Sequence, residues 1–260
     1  MVQHLTRLIK YRDLLWLLTL RELKARHRQT LLGIGWALAQ PISMMLVFTA
    51  VFSIFVKVPV EGAPYAAFAY TGLVCWLFFS NSLSSGVLSV VANMNLITKA
   101  SFPREVIPLS LILTAGFDFL IGVCLLAALL FVFGIPMTGA LFVVPGIVVI
   151  QVVFTAGIVL LGSALNVLKR DIGSMLPLIL QIWMFLSPIV YPVSAIPDPY
   201  KAVYMLNPMA MIVESYRSAI LFGTVPSLTI LMPASIIACA SLVVGYSYFK
   251  AVELRFADVM

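Results

Sequence analysis

Charge is what this chain of 260 residues has least of: 10% of its side chains are Asp, Glu, Lys or Arg and 62% are hydrophobic. Soluble domains carry about 25% charged residues. A soluble fold of this composition would expose most of its apolar surface, so the class that remains is an integral membrane protein. Histidine is confined to His4 and His27, and cysteine to Cys75, Cys124 and Cys239, each inside an apolar run. That scatter offers neither a disulfide framework nor metal-ligand spacing. No G-x-x-x-x-G-K-[ST] loop and no nucleophile–base constellation occurs, so if ATP energises this chain, the hydrolase is another chain. An apolar h-region with a cleavage site is also missing from the N-terminus, so the first apolar segment is expected to stay in the mature protein.

What is present is organised by the stretch 21–41, R-E-L-K-A-R-H-R-Q-T-L-L-G-I-G-W-A-L-A-Q-P. Arg21, Lys24, Arg26 and Arg28 crowd its first eight positions with only Glu22 against them, and from Leu31 to Val56 nothing is ionisable. A cationic block before a long uncharged run marks a helix pinned at the cytoplasmic lipid surface and then driven across the bilayer. Arg21, Lys24 and Arg28 share a helical face, so residues 1–30 read as an interfacial helix; a solvated basic patch is the plainer alternative. Apolar runs near 32–56, 66–92, 108–133, 141–165, 172–191 and 228–249 each approach or exceed the roughly 20 residues a crossing needs. With the N-terminus inside, 13 of the 16 Lys and Arg residues fall on the cytoplasmic side, leaving only Lys57, Lys201 and Arg217 outside. The net charge of +6 therefore suits phospholipid headgroups and a cytoplasmic partner, not nucleic acid. The fold class is an all-α polytopic membrane protein. It comprises the N-terminal interfacial helix, a six-helix transmembrane domain over 31–249 and a cytoplasmic tail over 250–260. Within the domain lie a cytoplasmic loop at 93–108 and an external segment at 192–226.

Several residues invite a role. Ser80 and Ser84 share a face of the second span, with Asn81 and Ser85 beside them. Polar groups at bilayer depth need either a neighbouring helix or a hydrated path. In the loop 93–108, Lys99, Phe102, Pro103, Arg104 and Glu105 form a compact group. Pro103 after a polar residue suggests the first turn of a short surface helix suited to docking another protein. Asp118 is the one acid well inside a span. With no second intramembrane ionisable group to relay a proton, it is read as a structural hydrogen bond near Gly116 or across a subunit contact. In the external segment, residues 209–222 are too few to span. Met209, Ile212, Val213, Tyr216, Ala219 and Ile220 make one apolar face, with Glu214 and Arg217 opposite and spaced to pair. The expectation is a short re-entrant helix tucked into the outer leaflet.

The block quoted above, together with K-A-S-F-P-R-E-V-I-P, L-N-V-L-K-R-D-I, S-P-I-V-Y-P and L-N-P-M-A-M-I-V-E-S-Y-R, resembles the type-2 ABC exporter permeases of bacterial polysaccharides. These segments occur in family order over most of the chain, and the look is nearest to O-antigen (lipopolysaccharide) export. The resemblance implies a homodimer with two copies of a separate ATPase, which binds ATP and Mg while this chain holds no cofactor. It implies ATPase coupling through Lys99, Phe102, Pro103, Arg104 and Glu105 and through the N-terminal helix. It also implies a channel in the inner membrane passing a glycan linked to undecaprenyl diphosphate. Aromatic rings suit sugar faces, and the candidate channel lining is Tyr70, Trp76, Phe79, Ser80, Asn81, Ser84, Trp183 and Tyr191, with Tyr65, Phe78 and Phe185 nearby. Arg21, Lys24, Arg26 and Arg28 are candidates for the lipid diphosphate, since clustered Arg binds phosphate. Teichoic-acid, capsule and drug or lipid exporters are the neighbouring alternatives. A proton-coupled transporter would want paired intramembrane charges, and a membrane transferase would want clustered carboxylates or histidines.

Overall fold

The computed structural model describes residues 10–27, 35–60, 62–99, 102–253 and 256; among these every regular element is helical. Ten α-helices follow one another: α1 Arg12–His27, α2 Gly35–Phe48, α3 Tyr65–Ala92, α4 Met94–Lys99, α5 Val106–Val132, α6 Val144–Leu168, α7 Asp171–Phe185, α8 Asp198–Tyr204, α9 Pro208–Ile220 and α10 Leu228–Glu253. α2 continues as a π-helical stretch, Thr49–Phe55, and α6 is preceded by a 3-10 turn, Gly139–Val143. Five helical segments are long and apolar enough to cross a membrane, namely Gly35–Phe55, Tyr65–Ala92, Val106–Val132, Gly139–Leu168 and Leu228–Glu253.

The crossing expected at 172–191 is shorter than its sequence suggests. α7 has 15 residues, a rise of about 22 Å against a hydrocarbon core of about 30 Å. Pro188 disfavours helical backbone at Ser187, and the chain turns at Leu186–Ile189. The count of six full spans is thus five long helices and one short one among the described residues.

α3 is the hub. It carries neither charge nor proline over 28 residues and packs against α2, α5, α6, α7 and α9. Gln151 of α6 fastens three elements at once. Its amide donates to the Cys75 carbonyl of α3 (2.8 Å), and its oxygen accepts from the Tyr216 hydroxyl of α9 (2.8 Å). α10 lies against α6 with the backbones touching: a Cβ on Gly245 would stand 2.0 Å from the Gly157 carbonyl oxygen. Without a hydrophobic effect between helices in lipid, such small-residue contact is what holds them. Outward faces are apolar and exposed, as at Leu120 and Val123 of α5 and Ile236 and Val244 of α10.

α9 departs from expectation. Its apolar face is buried as read from the sequence, but Ala210, Met211, Ser215 and Arg217 are buried too. The helix sits among α3, α6 and α10, not against lipid. Arg217 has no exposed surface. Instead of pairing with Glu214, it donates to the carbonyls of Ile189 (2.8 Å) and Phe68 (3.3 Å) and lies 3.5 Å over the Phe68 ring.

Candidate functional site

α1 packs against α5. Trp16 meets Phe117 (ring centroids 5.9 Å), and the Arg26 guanidinium donates to Asp118 at 2.5 Å. Between these contacts the Thr19 hydroxyl reaches the Ser110 carbonyl. Asp118 therefore has its charged partner in α1, a correction to the structural hydrogen bond expected near Gly116 or across a subunit contact. Its other carboxylate oxygen is buried and makes no hydrogen bond.

The ion pair stands in the wall of a cavity of about 670 Å³ between α2, α3 and α5. Gln40 of α2 and Asn81, Ser84 and Ser85 of α3 share that wall. Ser85 spends its hydroxyl on the Asn81 carbonyl, while the Asn81 amide makes no hydrogen bond among the described residues. Asp118 lies 12 residues into α5 from Val106, about 18 Å along its axis. A charge pair at that depth needs mutual neutralisation to be tolerated, and the cavity supplies the space for a polar guest.

Of the described residues of the basic block, Arg26 alone joins this cavity. Arg21 donates to Glu22 (2.7 Å) and to Asn93 (2.8 Å), Lys24 is exposed, and Arg28 lies outside the described residues. Of the channel candidates, Asn81 and Ser84 line the cavity, whereas Ser80 bonds back to the Leu77 carbonyl. Tyr70, Trp76 and Phe79 are buried in the core. Tyr70 donates to the Gly122 carbonyl, and Phe79 stacks on Phe154 and meets Trp183 edge-on at 5.0 Å. Within one chain these three rings face no open space.

At the opposite end Trp183, Tyr200, Tyr204 and Asn207 line an aromatic cavity of about 650 Å³. Trp183 donates to the Asn207 amide oxygen (3.0 Å), and the Asn207 amide nitrogen donates to Ser187 (2.9 Å) and to the Leu186 carbonyl (3.0 Å). Tyr191 lies behind it, bonded to Tyr204 (3.0 Å) and to the Phe185 carbonyl (2.7 Å). Burial first, and then the bond to Tyr191, raises the Tyr204 hydroxyl above its ordinary range. Lys201, hydrogen-bonded to Asp198 at 2.7 Å, holds that carboxyl below the usual value. Asn207 was not among the candidates, although Asn before Pro signals a helix start and its side chain does cap Met209.

The loop 93–108 differs from the expected helix. α4 ends at Lys99, Phe102–Glu105 form a turn, and α5 begins only at Val106. Pro103 therefore precedes the helix instead of opening it, and Pro108 sits in the first turn. Glu105 is 1% exposed and pairs with Lys250 of α10 (2.6 Å), which also holds Glu253 (2.8 Å). Arg104 donates to the Glu253 carbonyl and lies over the Phe256 ring. Part of the expected tail is thus helix and core, since α10 runs on to Glu253 and Phe256 is buried. Lys99 is exposed and Phe102 half-buried.

Long apolar helices around a polar, charge-bearing cavity define a polytopic membrane protein. Residues 13–221 match the ABC-2 type transporter family, and the chain belongs to that family as a permease subunit. It is 32% identical to the O-antigen export system permease protein RfbA of Klebsiella pneumoniae over 95% of each chain. The Myxococcus xanthus protein of the same description is 31% identical over 99% of each. The polysialic acid transport protein KpsM of Escherichia coli is 24% identical over 91% of this chain and 92% of that one.

Proposed function

We propose that this chain is the membrane subunit of an ATP-driven exporter that moves an O-antigen-like glycan, carried on undecaprenyl diphosphate, outward across the bacterial inner membrane. It works as a homodimer with two copies of a separate ATPase, its termini in the cytoplasm. The observation that carries this is the polar cavity at Arg26 in a chain similar to O-antigen permeases along nearly its whole length. In this reading Arg26 receives the diphosphate at the cytoplasmic side, the Asn81–Ser84 face guides the first sugars, and the Trp183–Asn207 cavity offers a ring-and-amide surface at the outer side. Such a mix is what glycans need, because their apolar faces stack and their hydroxyls want polar partners. Lys99, Phe102 and Pro103 meet the ATPase. The similarity to KpsM keeps a capsular polysaccharide as the second reading.

Arg26→Lys tests the reading, since a guanidinium pairs bidentately with phosphate and an ammonium cannot. In vesicles containing the permease and its ATPase, export of the lipid-linked glycan is expected to fall about tenfold, equivalent to about 1.4 kcal/mol. Insertion and ATPase binding should be unchanged. Export at the parental rate would remove Arg26 from substrate binding.

A further inference from the structure

A second cavity, an apolar groove of about 620 Å³, runs between α5 and α6. Trp16, which meets Phe117 of α5, lies at one end, and Val144 and Pro145, at the start of α6, lie at the other. Its polar side chains are already engaged. Thr71 bonds to the Ala67 carbonyl, Gln151 to the Cys75 carbonyl and Tyr216 to Gln151. What the groove offers a guest is therefore hydrocarbon.

The groove backs onto the polar cavity. Val74, Phe78 and Phe119 line both, and the Phe78 and Phe119 rings (centroids 5.4 Å apart) stand as the partition. Opposite faces of α5 line the two pockets, and these three side chains belong to both walls. Arg26 and Asp118 lie about 18 Å along α5 from Val106, level with Phe117 and Trp16 at the near end of the groove. A lipid whose charged head sits at that pair has to run its chain from there, and the groove is the adjoining apolar space.

We infer that the α5–α6 groove holds the hydrocarbon tail of the lipid-linked substrate, with Phe78 and Phe119 as the partition the chain passes. This rests on the reading of Arg26 as the site of the charged head. It assigns the groove to one amphiphile whose two ends occupy abutting pockets.

Gly116 permits a clean test. It lines the groove, and a Cβ there meets nothing within 4 Å, so Gly116→Trp has open space from which to project its ring into the groove. Replacing glycine inside a helix also removes its propensity penalty. Gly146 of α6 has the same freedom but lines neither cavity, so Gly146→Trp is the control. The probe is a polyprenyl diphosphate with a photoreactive group midway along its tail, added to vesicles containing the permease and its ATPase. Phosphatidylglycerol bearing the same group in its acyl chain is the comparison. Polyprenyl label is expected on residues 113–126 and 144–152 in the parent and in Gly146→Trp, and about tenfold less in Gly116→Trp. Val123→Trp, from the α5 wall, repeats the block independently. Equal labelling by phosphatidylglycerol would make the groove a seat for bulk lipid and overturn the inference, as would label indifferent to both blocking variants. Groove label that survives Arg26→Ala keeps the groove and sinks the head assignment. Label elsewhere that Arg26→Ala weakens does the reverse.

Discussion

Arg217 sits with no exposed surface and with two guanidinium nitrogens unbonded, held by two carbonyls and the Phe68 ring. Its bond to Ile189 fixes the turn that ends α7, so the side chain clamps the external segment onto α3. Removing it leaves the Ile189 carbonyl without this partner, and a buried polar group left unpaired costs about 1–3 kcal/mol. Arg217→Ala is therefore expected to lower thermal stability in detergent by several degrees, whereas Glu214→Gln should change little because the two residues form no ion pair. Equal effects from both would mean that the pair matters after all. Arg26 and Asp118 make the complementary case. Asp118→Asn and Arg26→Gln should each destabilise, and the double variant should cost less than their sum, with a coupling of about 1 kcal/mol for a half-buried charge pair. Strict additivity would show that the contact contributes nothing.

At the scale of elements, the clasp of Arg104 and Glu105 on Lys250 and Glu253 joins the loop after α4 to the end of α10, and α10 is joined by touching backbones to α6. A push on Phe102 is thereby passed to the α6–α10 pair as well as along α5. Lys250→Ala takes the charged partner from the buried Glu105. The expected result is an intact complex with near-normal ATP hydrolysis and export reduced several-fold; hydrolysis and export falling together would refute coupling through the clasp. Here the sequence was partly legible. Helix type and the α9 stripe followed from 3.6-residue periodicity, which reports one face at a time and so could not tell a re-entrant helix at the lipid from one wrapped by protein. Glu105 read as a surface charge for docking because its counter-ion is 145 residues away. Local spacing carries no record of such a partner. Asp118 lacked an evident partner for the same reason, Arg26 being 92 residues distant, and the shortness of α7 was hidden by apolar residues continuing past its last turn.

For the whole molecule, the polar cavity predicts a pattern of water access along α3. With Cys75, Cys124 and Cys239 replaced, cysteines at Asn81 and Ser84 should react with small charged thiol reagents from the cytoplasmic side. A cysteine at Ser80, which lines neither cavity, should react more slowly. Uniform reactivity would mean a wider hydrated surface, and inert positions throughout would return this face to helix packing. The clasp has one more consequence, in the order of synthesis. Glu105 leaves the ribosome 145 residues ahead of Lys250, and at about 5–20 residues per second that is a wait of roughly 7 to 30 s. Through that interval the loop has its carboxylate but not its counter-ion, and α6 lacks the helix that covers Gly157. If the loop docks the ATPase as proposed, a nascent chain displays it unfinished until α10 is made, and partner recruitment belongs after translation of the last helix. Chains arrested before Lys250 should insert in the membrane yet fail to retain the ATPase.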